Sequence, residues 1–296
     1  MTDSTTDSEP AAHKEDKQDY VVLARKYRPS HFDELIGQDA LVRTLKNAIE
    51  TGRIAHAYML TGVRGVGKTT TARIIAKALN YQGPDGQAGP TIGPTDDCET
   101  CQAITKDRHP DVMEMDAASR TGVDDIREIL DGVRYAPVSA RYKVYIIDEV
   151  HMLSKQAFNA LLKTLEEPPP HVIFIFATTE IRKVPVTVLS RCQRFDLKRV
   201  DVSTLKDFYG TICDKEGVKV HEGALTLIAQ AADGSVRDGL SLLDQAIAQR
   251  SEGTEQEVSL EAIQDMLGLA DRGKTLALLE ASLTANPAQA LDIVAD

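Results

Sequence analysis

The sequence predicts a parallel α/β core joined to a helical unit. Apolar runs of strand length stand at 57–61, 112–116, 143–148 and 172–177, with helix-period segments between them. The run Val172-Ile173-Phe174-Ile175-Phe176-Ala177 is apolar throughout, as a strand covered on both faces requires. From about residue 202 the strand runs stop and helical patterns continue to the end.

Each element has a local reason. Residues 1–19 are rich in Ser, Thr, Asp and Glu and lack an apolar period, so disorder is expected there. Order begins at Tyr20 to Ala24. Residues 39–51 predict a helix, because Leu41, Leu45, Ala48 and Ile49 share one face. Ala57–Thr61 suits a buried strand, and Thr70–Leu79 a helix with Ile74, Ile75, Ala78 and Leu79 on one side. Residues 83–97 are dense in Gly and Pro and predict loop. A strand at 112–116 and a helix over 123–134 come next, then a strand at 143–148 that ends in acids. A helix over 154–167 is stopped by Pro168-Pro169-Pro170. The last segment, 290–296, is amphipathic and has no stop signal, which reads as a chain continuing further.

Composition bounds the class. The chain has 296 residues, 42% of them hydrophobic, enough for one large or two to three small domains. No apolar run approaches the roughly 20 residues of a membrane span, and the first residues lack an apolar signal core. Four cysteines make no dense disulfide framework, so a cytoplasmic protein is expected. Lys and Arg number 34 against 45 Asp and Glu, a net charge of −11. Six acids against two lysines in residues 1–20 account for −4 of it. Composition carries no basic nucleic-acid footprint, so any DNA contact must use local clusters or backbone amides.

The strand at 57–61 runs into Gly62-Val63-Arg64-Gly65-Val66-Gly67-Lys68-Thr69, which fills the phosphate-loop pattern G-x-x-x-x-G-K-[ST]. Glycines let backbone N–H groups close around a phosphate chain. Lys68 reaches the β/γ-phosphates, the Thr69 hydroxyl can ligate Mg²⁺, and Thr70 continues into the helix. Strand, loop and helix in that order distinguish the motif from a Gly-rich turn.

Asp148-Glu149 ends the next apolar strand but one. Asp148 is expected in the Mg²⁺ shell with Thr69, and Glu149 is expected to polarise an attacking water. The bland alternative is a pair of solvated acids. An adjacent Asp-Glu points to water as phosphate acceptor, hence ATP hydrolysis. Thr178-Thr179 ends the all-apolar strand, where a polar group can sense the γ-phosphate. Arg191, after a helical turn, can enter a neighbouring subunit's site, and Arg237 starts a helix from which it can touch nucleotide. Taken singly, each arginine is more often a surface ion-pair residue.

The string Lys143-Val144-Tyr145-Ile146-Ile147-Asp148-Glu149-Val150-His151-Met152-Leu153, with Phe158 through Pro169, resembles the AAA+ clamp-loader ATPases, and more closely the gamma/tau subunits of bacterial DNA polymerase III. Ala24-Arg25-Lys26-Tyr27-Arg28-Pro29, Phe32 to Gln38, Asp116-Ala117-Ala118-Ser119-Arg120 and Ser190-Arg191-Cys192 support the likeness, which covers about residues 20–296. It implies an AAA+ nucleotide-binding α/β domain (20–201), a helical lid (202–265) and the start of a helical collar (266–296). It further implies an arginine finger at Arg191, sensors at Thr179 and Arg237, and adenine contacts near Tyr27, Arg28 and Pro29. The implied partners are the delta and delta-prime subunits, further gamma/tau copies, the sliding clamp and primer–template DNA, with no membrane.

One departure concerns zinc. The resemblance implies a four-cysteine module at about 81–109, of which this sequence keeps Cys98 and Cys101. Tyr81 and Thr95 stand at the other two places. Two thiolates, even with His109, fall short of four ligands. Two free thiols in a surface module are therefore expected in preference to a zinc site. Other readings are a helicase loader or branch-migration motor of the same fold, a non-catalytic clamp-loader scaffold, and a nucleotide kinase. Lys68, Thr69 and Glu149 argue against the scaffold, and Ser190-Arg191-Cys192 is not required of the motors.

Overall fold

The computed structural model describes residues 20–120, 122–249, 257–269 and 272–295. The expected disordered tail, 1–19, lies outside the described residues. In chain order the first elements are α1 (Leu23–Lys26), α2 (Asp39–Glu50), β1 (Ala57–Thr61), α3 (Lys68–Asn80), α4 (Glu99–Thr105), β2 (Val112–Asp116), α5 (Val123–Val133) and β3 (Lys143–Asp148). Then come α6 (Lys155–Glu166), β4 (Val172–Thr178), α7 (Val186–Leu189) and β5 (Gln193–Asp196). The helical part holds α8 (Val202–Glu216), α9 (Glu222–Ala231), α10 (Val236–Ala248), α11 (Leu260–Met266), α12 (Arg272–Leu283) and α13 (Pro287–Ala295).

The five strands form one parallel sheet in the order β2-β3-β4-β1-β5. Pleating sends successive side chains to opposite faces. Tyr58, Leu60, Val144, Ile146, Ile173 and Ile175 point to one side, where they pack with Leu41 and Leu45 of α2 and Ile74, Ile75 and Leu79 of α3. Met59, Tyr145, Ile147, Phe174 and Phe176 point to the other, against Ile126 and Ile129 of α5 and Phe158 and Leu161 of α6. Both faces are covered, which is why β4 has no polar position before its tip. The Phe174 ring stacks on Tyr145 at 5.5 Å and on Phe176 at 5.8 Å. Truncating such a ring to Ala costs about 3–5 kcal/mol.

Strand β5 escapes the sequence reading. It is an edge strand beside β1, and only Phe195 of its four residues is buried, so no apolar run announces it. A third core holds the helical part together. Leu205, Tyr209 and Ile212 of α8 meet Ile228 of α9, Leu240 and Leu243 of α10 and Ile263 of α11. Helix α10 is capped by Ser235, whose hydroxyl accepts the Asp238 N–H at 3.2 Å. Leu23 of α1 inserts into the same core. The N-terminal segment is also tied to the lid helices by Tyr20 to Asp244 and by Tyr27 and Lys26 to Glu216. Helices α12 and α13 pack on each other and leave Leu276, Leu279, Leu283, Leu291 and Val294 exposed.

The cysteine pair requires a correction. Cys98 and Cys101 are free thiols, but they are not at the surface: each is 1% exposed. They sit at the start of α4, and the Cys101 thiol donates to the Lys77 carbonyl of α3 at 3.6 Å. Burial pushes the Cys101 thiol far up, so it behaves as a small apolar group. His109, the conceivable third ligand, is committed elsewhere. Its Nδ1 accepts the Asp111 N–H at 3.1 Å and its Nε2 faces Ser139 Oγ at 3.3 Å. Among the described residues no three His, Cys, Asp or Glu side chains are grouped to hold a metal. Among them, too, no helix is long and apolar enough to cross a membrane.

Asp111 sets where β3 begins. Its carboxylate is buried and accepts N–H groups from Val138 at 2.8 Å and from Ser139 and Ala140 at 2.9 Å. Its carbonyl accepts the Val144 N–H at 2.8 Å. Burial pushes its pKa up, but the three N–H donors and His109 push it further down, below the usual carboxylate range. Asp111→Asn puts an amide N–H₂ against these donors and is expected to cost about 2 kcal/mol in chemical denaturation at neutral pH. A depressed folded pKa adds stability above the unfolded value of about 3.9 and loses it as pH falls through the folded value. The gap between wild type and variant should therefore close below about pH 4.

Candidate active site

All five strands end on a polar residue: Thr61, Asp116, Asp148, Thr178 and Asp196. Register sets them side by side, with Thr61 opposite Thr178 and Asp196, and Asp116 opposite Asp148. The carboxyl edge of a parallel sheet is where ligands bind in open α/β folds. A cleft of about 1090 Å³ opens there, between the sheet edge, the N-terminal segment and the start of α10.

The phosphate loop floors this cleft. Gly62, Gly65 and Gly67 have φ of +151°, +75° and +102°, conformations that side-chain-bearing residues rarely adopt. Helix α3 begins at Lys68 directly after the last of them, so its free N–H groups face the cleft. Lys68 Nζ donates to the Gly62 carbonyl at 3.1 Å and the Val63 carbonyl at 3.0 Å. Burial lowers its pKa, against the opposing pull of Glu149 and Asp148. An ammonium so stripped of water gains strongly from an incoming polyanion. The Thr69 hydroxyl donates to Asp148 Oδ2 at 2.5 Å, so the two expected Mg²⁺ ligands already converge. A hydroxyl and a carboxylate, both oxygen donors, fit that hard cation. Arg25, Arg28, Arg64, Lys68 and Arg237 line the cleft with Glu34, Asp116, Asp148 and Glu149, a local concentration of cations in an acidic chain.

Glu149 is held to the tip of β4. Its Oε2 accepts the Thr179 N–H at 3.1 Å and the Thr179 hydroxyl at 2.9 Å. Its backbone is left-handed, φ +44°, and its N–H donates to Asp148 Oδ1 at 2.9 Å. Strain of this kind concentrates at functional sites. The lid meets the loop directly, as the Arg237 N–H donates to the Gly65 carbonyl at 3.3 Å.

Every residue expected to bind nucleotide lines the cleft except Gly62, which enters through its carbonyl on Lys68. Tyr27, Arg28 and Pro29 share that lining with Glu149 and Thr179. Arg191 does not line it. Its guanidinium pairs with Glu166 at 2.5 Å and donates to the Thr187 carbonyl. Sequence reasoning passes over the apolar wall of Val22, Ala24, Leu35, Ile36, Phe208 and Leu240, and over His151. The wall comes from four distant segments, each of which reads locally as core. His151 is visible in sequence only as a histidine two residues after Glu149.

Three family models match the chain. Residues 37–201 match the one described as DNA polymerase III, delta subunit. Residues 206–252 match the ATPase lid domain of the DNA polymerase III clamp loader subunit, and 258–296 match domain III of the DNA polymerase III subunits gamma and tau. The DNA polymerase III subunit tau of Escherichia coli (strain K12) is 48% identical over 275 residues, which are 93% of this chain and 41% of that protein. The DNA polymerase III subunit gamma of Buchnera aphidicola subsp. Acyrthosiphon pisum is 46% identical over 264 residues, 89% of this chain and 71% of that one. The chain thus spans about two fifths of the length of the tau relative. In fold it is similar to the RuvB Holliday junction branch migration motor of Thermotoga maritima, with a TM-score of 0.60 at 19% identity over 86% of this chain and 79% of that one. At that identity the likeness concerns the fold alone.

The loop–lid contact yields a test. A Cβ on Gly65 would stand 2.0 Å from Ser235 Oγ and 3.3 Å from Asp238 Oδ2. Gly65→Ala should push the start of α10 away and add about 1–3 kcal/mol of backbone strain. ATP affinity, read by titration calorimetry, should fall at least about tenfold, the equivalent of 1.4 kcal/mol. Gly52→Ala has a similar φ of +66° and nothing within 4 Å, so it should leave affinity unchanged. Lys68→Ala should abolish nucleotide binding yet melt close to wild type, because the hydrogen bonds of Lys68 go to loop carbonyls.

Proposed function

The chain belongs to the gamma/tau subunit family of bacterial DNA polymerase III, and on that premise we propose that it is the ATP-hydrolysing part of a replicative clamp loader. ATP binding orders an arc of subunits that grips an open sliding clamp, and primer–template DNA triggers hydrolysis and release. The observation that carries this reading is the convergence on one cleft of the phosphate loop, Asp148, Glu149 and the lid residue Arg237.

The roles follow from position. Loop N–H groups and Lys68 hold the phosphates, while Thr69 and Asp148 hold Mg²⁺, which when bound neutralises phosphate charge. Glu149 takes a proton from the attacking water, and Thr179 holds that carboxylate and senses the γ-phosphate. Arg237 ties lid angle to nucleotide. Tyr27, Arg28 and Pro29 sit by the base, with the apolar wall beside them. The exposed leucines of α12 and α13 suit packing against further copies and the delta and delta-prime subunits. The compartment is the cytoplasm.

Arg191 supports a trans role because it stays out of its own cleft. Its pair with Glu166 is partly exposed on both sides, 30% and 52%. Exposed pairs are worth about 0.2–1 kcal/mol. A finger acting in trans contributes about 10³-fold in rate, or about 4 kcal/mol. Surrendering the pair on assembly is therefore a small cost. Arg191→Ala is expected to keep ATP affinity and melting temperature in the isolated chain and to lose about 10³-fold in DNA-stimulated hydrolysis in the complex. Weakened binding or folding of the monomer, or full activity in the complex, would remove the trans role.

A further inference from the structure

His151 has no part in the roles above, yet its buried imidazole lies beside the Glu149 carboxylate. Its side chain is 6% exposed and lies in the turn Val150–Met152 that follows β3. Nδ1 is 2.9 Å from Thr178 Oγ1 and 3.3 Å from Glu149 Oε2. Nε2 is 3.4 Å from Glu180 Oε1. Thr178 is itself fully buried, and its hydroxyl oxygen accepts the Glu180 N–H at 3.0 Å. The imidazole thus wedges between the tips of β3 and β4, beside the carboxylate expected to work on water.

We propose that His151 is a positioning residue that fixes the Glu149 carboxylate, an inference that rests on Glu149 being the base. Glu149 has a flexible side chain, and its other holder, Thr179, is an exposed residue past the end of β4. A carboxylate held by one exposed residue alone, through the Thr179 N–H and hydroxyl, can swing. The imidazole cannot, because Thr178 and Glu180 hold the ring on two sides. Rate depends steeply on such placement, since a shift of about 1 Å costs up to about 100-fold. The polar partners of His151 are Thr178, Glu149 and Glu180, none of them in the phosphate loop, so its loss should act on the chemical step and not on ATP binding.

The two ring nitrogens have different jobs, and this separates a positioning role from a structural one. Asn places a polar atom near Nδ1 and preserves the link to Thr178 and Glu149. Gln places one near Nε2 and preserves only the link to Glu180. The experiment uses the full-length protein reconstituted with its partner subunits, clamp and primed DNA, with ATP as probe. His151→Ala should lower kcat by about 10- to 100-fold with KM unchanged. His151→Asn should recover most of the rate, and His151→Gln should not. Added to Glu149→Gln, His151→Ala should cause no further loss in single-turnover rate, because it acts through Glu149. A wild-type kcat in His151→Ala, equal rescue by Gln, or a further loss on the Glu149→Gln background would each overturn the inference. If His151→Ala does not fold, the Asn–Gln contrast decides alone. Glu149→Gln also separates the two levels of the proposal. If it hydrolyses at the wild-type rate, the base assignment fails and takes His151 with it. If it is inactive while His151→Ala is unimpaired, only the role of His151 fails.

Discussion

Parallel register is the constraint on which the rest of the structure depends. Every strand ends on a polar residue, so aligning the strands in parallel gathers Thr61, Asp116, Asp148, Thr178 and Asp196 on one edge. An antiparallel partner would send its terminal polar group to the far edge. The site is therefore a consequence of topology before it is a matter of side-chain detail. Burial of both sheet faces makes the edge the natural place for charge, because the central strands β1, β3 and β4 are enclosed by helices along almost their whole length. A single register slip of β3 would move Asp148 off the Thr69 hydroxyl and turn Ile147 to the wrong face.

The second level of organisation is the contact between loop and lid. The glycines hold the loop in backbone conformations that expose its N–H groups, and Gly65 also leaves room for Ser235. Nothing larger fits between them. The lid thus rests on the backbone of the phosphate-loop motif, and the N-terminal segment ties itself to α8 and α10 through Tyr20, Lys26 and Tyr27. A ligand that moves the loop must move the lid. On the proposed function, occupancy of the cleft would in this way alter the shape that a subunit offers its neighbours, and Arg191, paired with Glu166, lies outside its own cleft.

Much of this was legible in the sequence because it is local. The four apolar strands, the phosphate loop and the acids after β3 are contiguous strings whose periods and residue types carry their own meaning. What was not legible is tertiary. Strand β5 is polar at three of its four positions because it lies on an edge, so Phe195 alone could not announce it. The apolar wall draws on segments as distant as Val22 and Leu240, and all of its members but Val22 also pack into one of the cores. The burial of Cys98 and Cys101 depends on α4 packing against α3, which a Gly/Pro-rich neighbourhood conceals. His151 acquires its place only when β3 and β4 lie side by side.

The central claim is that this cleft burns ATP in the service of placing a clamp on DNA. The steady-state ATPase rate of the reconstituted complex, measured alone, with clamp, with primed DNA and with both, tests it most directly. A rate that rises sharply only when clamp and primed DNA are present together is the predicted result. A rate indifferent to both, or stimulated equally by unprimed DNA without clamp, would contradict it and point to a different motor built on the same fold.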